Sequence, residues 1–137
     1  MAKITDIIIA GKRYPMRYSI AAGKAITKKF GGLKDMGEAM FSGKEDEALD
    51  TVTWVTELLI QQGCAYKNMY EADQPFPDDA PVVDGKYVPI SKEELEIALD
   101  IGEDMQMLTE KLTEAIYKPD ERKVEAEEAK TKNPKAT

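Results

Sequence analysis

Hydrophobic and polar positions along this chain alternate first with a strand period and then, from residue 20 onward, with a helical one. The run from Ile4 to Ile9 is β-branched and apolar, a composition suited to a pleated, half-buried surface. Gly11 can take the positive φ of a tight turn, and Lys12 to Tyr18 interleaves polar and apolar residues as a second strand. The pattern predicts a hairpin over about residues 4–18. Ser19 then stands at a helix N-cap position, and Gly31 and Gly32 stand where a helix over about 20–30 would end. A two-stranded hairpin alone is marginal in water, so this one must lean on the helices that follow or on another molecule.

Leu33 to Phe41 suits a further short helical segment, broken by Gly37, and Ser42–Gly43 is a natural stop. The next segment, KEDEALDTVTWVTELLIQQG, predicts a helix over about 44–62. It has acidic residues in the first turn, and Gly63 stands ready to end it. Ala48, Val52, Val55 and Leu59 form one apolar stripe, Trp54 and Leu58 a second beside it, and Leu49 and Ile60 flank the other side. A helix that is apolar nearly all round is either central in its bundle or covered by a partner. Cys64 to Glu71 reads as a short continuation carrying Tyr66, Met69 and Tyr70.

Four prolines between Asp73 and Pro89 exclude helix there, and VVDGKYV within that stretch resembles a miniature hairpin around Asp84 and Gly85. Ser91 with Glu94 makes a capping box for a last helix over about 92–117, with Pro119 just beyond its end. Its stripe runs Ala98, Ile101, Met105, Leu108, Leu112, Ile116, leaving Leu95, Leu99 and Met107 off it. Residues 119–137 carry mixed charge with little apolar content and are expected to be a flexible, disordered polar tail. The predicted fold is α+β and mostly α-helical: one domain over about 1–118, with the N-terminal hairpin packed on a small helix bundle.

Composition narrows the function. A length of 137 residues with 42% apolar content suits one small core, and no run is long and apolar enough to span a membrane. A soluble, intracellular protein is expected. The single cysteine, Cys64, excludes an internal disulfide and any cysteine-clustered metal site. A net charge of −7 disfavours nucleic-acid binding. The absence of histidine removes the commonest general base and the commonest zinc ligand.

The sharper motifs fail one by one. Asp78–Asp79, Glu93–Glu94 and Glu103–Asp104 lack the spacing of a calcium loop and read as solvated faces. Gly23–Lys24 lacks the glycine a phosphate loop needs upstream, and Lys24, Lys28 and Lys29 are too few for a DNA-recognition helix. Cys64 has no histidine to activate it and reads as an inert core residue. No catalytic residue, metal ligand or cofactor is expected. Trp54, Leu58, Leu95, Leu99 and Met107 are hard to place in one core: either a compact bundle consumes them all, or they form a protein-binding face.

The opening DIIIAGKRYPMRYSIAAGKAITKKFGGLKDM, the central DTVTWVTELLIQQG and the helix from Ser91 to Lys118 together resemble the tail assembly chaperones of long-tailed (siphovirus-type) phages and prophages. The likeness covers roughly residues 1–118 and is a pattern of elements rather than of reactive residues. It departs at Ala10, where asparagine or aspartate before the glycine is usual, so the turn type stays open; the proline-rich insert is also long. The resemblance implies a non-enzymatic protein of the host cytoplasm that coats the tape measure protein before the tail tube polymerises, then leaves and is absent from the mature virion. It further implies a homo-oligomer, the tail tube protein as another candidate partner, and a longer frameshifted product. The rival readings are a structural head–tail or tail component of the virion and a small DNA-binding regulator.

Overall fold

The structure, a computed structural model, describes residues 2–117. Among them are five helices and two antiparallel hairpins: an α+β, mostly helical fold. The predicted tail at 119–137 lies outside the described residues.

Strands β1 (Thr5–Ile9) and β2 (Lys12–Met16) pair antiparallel with Ile9 opposite Lys12, leaving Ala10 and Gly11 as a two-residue loop. Both loop residues have positive φ, 49° and 80°, the type I′ pattern that suits the right-handed twist of a hairpin. Helix α1 (Ile20–Phe30) starts where the Ser19 hydroxyl accepts from the Ala22 N–H at 3.1 Å, and it ends at Gly31 in the left-handed region. Helix α2 (Leu33–Met40) runs straight through Gly37 rather than breaking there. One glycine costs a helix interior about 1 kcal/mol. Burial of Met36 and Met40 on the inner face outweighs it.

The central element is α3 (Glu45–Tyr70), which touches β2 and all four other helices. Its inner face contributes Val52, Val55, Leu59 and Ile60, each at most 1% exposed, against Ile7, Ile9 and Met16 of the hairpin and Ile26 of α1. The expected stop at Gly63 is overturned, and the separate segment from Cys64 is simply the last turns of α3. Gly63 is there for contact: a Cβ on it would run into the Pro15 carbonyl and stand 2.9 Å from the Met16 nitrogen. The glycine lets a helix backbone lie directly against a strand.

The proline-rich insert is tied down at both ends. The Asp79 carbonyl accepts the Arg13 N–H at 2.8 Å, and its carboxylate accepts Arg13 Nε at 3.1 Å. Strands β3 (Val82–Val83) and β4 (Lys86–Tyr87) flank Asp84 and Gly85, again with positive φ at both. The Asn68 side chain pairs with the Tyr87 backbone at 3.0 and 2.9 Å, standing in for a neighbouring strand.

The single helix expected over about 92–117 is two helices: α4 (Lys92–Ala98) and α5 (Ile101–Ile116). Leu99 and Asp100 between them are extended, with ψ of 142° and 135°. The Asp104 carboxylate accepts the Asp100 N–H at 2.7 Å, and Glu103 and Asp104 sit in the first turn of α5, where the helix dipole favours them. The elbow lets Leu95 enter the core at 0% exposure, while α5 buries Leu108 and Leu112 in a different direction. Ala98 and Ile101, on the stripe of a straight helix, are exposed instead.

Candidate functional site

The elbow creates an apolar opening in which the helices leave large side chains reachable from solvent. Leu49 and Thr53 of α3, Leu95 of α4, Leu99 at the elbow, and Ile101, Met105 and Leu108 of α5 line a groove of about 200 Å³. Leu95 and Leu108 form its buried floor. Leu99 and Met105 are half-buried on its walls, and Ile101 is 60% exposed at its lip. Ile97, two residues before Leu99, is 86% exposed.

The wall formed by α4 is fastened to α3 by polar contacts. Glu57 accepts the Lys92 N–H at 2.7 Å, and the Thr53 hydroxyl reaches the Glu96 carboxylate at 3.2 Å. The Lys92 ammonium pairs with Asp50 and with Glu96, and those two hydrogen bonds, Asp50 first, hold its pKa above the ordinary lysine value. Glu96 and Asp100 line the opening, and Glu103 and Asp104 follow within one turn, so the rim is acidic around an apolar floor.

The five residues singled out as a candidate contact face differ in burial and surroundings. Leu95 and Leu99 meet in the groove, Leu95 as its floor and not as exposed surface. Trp54 packs edge-to-face on Phe30 of α1 with ring centroids 5.5 Å apart, and the Lys29 ammonium lies 5.1 Å from its ring centroid. Leu58 and Met107 are half-buried against the core. A straight-helix stripe places Ile101 and Met105 in line with Leu108 and Leu112; the acidic run after Leu99–Asp100, which suits a second helix start, is the signal in the sequence for the bend that sets them at the groove.

Two other cavities are smaller in promise. One of about 210 Å³ between the first hairpin and the insert is polar: Arg13 on its wall pairs with Asp79, Lys67 pairs with Glu71 at 2.8 Å, and Asp6 lines it beside them. Burial works against the Lys67 charge, while the Glu71 hydrogen bond and charge outweigh it and leave the pKa raised. The other, about 120 Å³, lies among Met36, Met40, Phe41, Leu112 and Ile116. Cys64 is buried, and desolvation pushes its thiol up to about 12. Among the described residues no group of three or more His, Cys, Asp or Glu could hold a metal ion, and no helix is long and apolar enough to cross a membrane. Compared with known proteins, the chain matches no family model, no curated protein and no solved structure.

Proposed function

We propose that this protein is a non-enzymatic tail assembly chaperone of a long-tailed phage or prophage, binding the tape measure protein in the host cytoplasm and leaving before the virion matures. The observation that carries the reading is the groove at the α4–α5 elbow, with a buried apolar floor, half-open walls and an acidic rim. A groove of this kind suits one face of an amphipathic helix, anchored by side chains spaced three and four apart. Lysine and arginine flanking that face would complement Glu96 and Asp100. A long helical tape measure protein offers such faces repeatedly, so several copies could line one client.

Ile101→Lys tests the groove without touching the core, because Ile101 is 60% exposed. Capture of the tape measure protein should fall at least about tenfold with the melting temperature unchanged. Undiminished capture would place the client elsewhere on the molecule.

A further inference from the structure

The two edges of the first hairpin are treated differently by the chain. On β2 the edge is closed: Pro15 has no N–H, Asp79 takes the Arg13 N–H at 2.8 Å, and Leu59 of α3 takes the Arg17 N–H at 3.0 Å. On β1 it is open. With Ile9 opposite Lys12 across a two-residue loop, Thr5, Ile7 and Ile9 turn their main-chain groups toward β2. Asp6 and Ile8 turn theirs outward, and among the described residues no backbone group or side chain bonds to them. Both residues are exposed, Ile8 at 45%. Of the devices that blunt such edges, the strand Thr-Asp-Ile-Ile-Ile holds no proline, lysine or bulge, and Asp6 is its single charge.

We propose that this edge receives β1 of a second copy of the chain, antiparallel, to make one continuous four-stranded sheet. Read in reverse, the strand presents Ile8 and then Asp6 at the same spacing, so its outward donors and acceptors complement themselves. Asp6 lies opposite Ile8 of the partner subunit and Ile8 opposite the partner's Asp6. Each such pair exchanges two main-chain hydrogen bonds. The two Ile8 side chains come within reach on the diagonal. The same register brings the two Asp6 carboxylates onto the other diagonal, where each is countered within its own subunit by the nearby charges of Arg13 and Lys67. The closed edge of β2 stops the assembly at a two-fold dimer, and the groove at the elbow stays outside it.

Sedimentation of the full chain over a range of concentrations tests the pairing, because a short strand interface gives a concentration-dependent dimer. The expected result is a rise from the 15.3 kDa monomer to twice that mass. Ile8→Pro removes an outward N–H while leaving the hydrogen bonds between β1 and β2, as Pro15 does on β2; it should weaken the dimer at least about tenfold with circular dichroism unchanged. Ile8→Lys, which keeps the N–H, should weaken it in the same direction and serves if the proline variant does not fold. Ile20→Lys, at another exposed isoleucine, should leave the dimer intact. A monomer at every concentration, or a dimer undiminished in both Ile8 variants, would overturn the proposal.

Discussion

Gly63 of α3 and Pro15 of β2 meet backbone to backbone, with no room for even one carbon between them. The central helix and the hairpin are therefore joined by a contact that only glycine permits. Gly63→Ala is expected to destabilise the protein by about 3 kcal/mol, the upper part of the usual overpacking range. Gly37→Ala is the control: its Cβ would meet nothing within 4 Å, so the helix should gain about 0.5–1 kcal/mol. Urea unfolding of the two variants against the parent checks both signs.

Ala10 sits at φ 49° in the first hairpin turn, a left-handed conformation that costs a residue with a Cβ roughly 1–2 kcal/mol. The second hairpin fills the equivalent place with Asp84, whose side chain tolerates it better. Ala10→Asn should raise stability by about 0.5–1 kcal/mol, seen as a higher urea midpoint at unchanged slope. A lower midpoint would mean that the loop does not take the type I′ form.

The Cys64 thiol, buried and pushed up to about 12, should resist alkylation in the folded protein at about pH 8.5. Reaction with iodoacetamide should run at least about a hundredfold slower than in denaturant, because the thiolate is the reactive form. Rapid native modification would show that the end of α3 opens.

Glu94 closes the capping box of α4: its carboxylate accepts the Ser91 N–H at 3.0 Å, and its own N–H donates to the Ser91 hydroxyl at 3.1 Å. The bond from the Ser91 N–H first, and the Ser91 hydroxyl acting on the same carboxylate second, hold its carboxyl below the ordinary glutamate range. With the folded pKa depressed, the contribution is complete above the unfolded value of about 4.3 and is lost as pH falls through the folded one. Glu94→Gln should therefore flatten the loss of stability between about pH 5 and about pH 3, measured as the urea midpoint across that window.

Much of the fold was legible locally. Ser19 and Gly31 bound α1 at both ends, the Ser91–Glu94 box opens α4, and Asp84–Gly85 turns the second hairpin, because each signal is a hydrogen bond or a φ value set within a few residues. Gly63 was misleading because its role is set by Pro15, far away in the chain. The elbow at Leu99–Asp100 was hidden for a related reason: the apolar spacing runs through it unbroken, and only the packing of Leu95 into the core distinguishes a bent helix from a straight one. That bend also decides the groove. It carries Leu95 inward and Ile101 outward, the reverse of what a straight stripe assigns.

The most direct test of the chaperone reading is co-expression of the full chain with a phage tape measure protein, the proposed client, followed by co-purification and light scattering. The account predicts a soluble complex with several copies of this chain per client, diminished by Ile101→Lys. A client that purifies without it, with this chain found instead in mature particles, would contradict the account and mark it as a structural component of the virion.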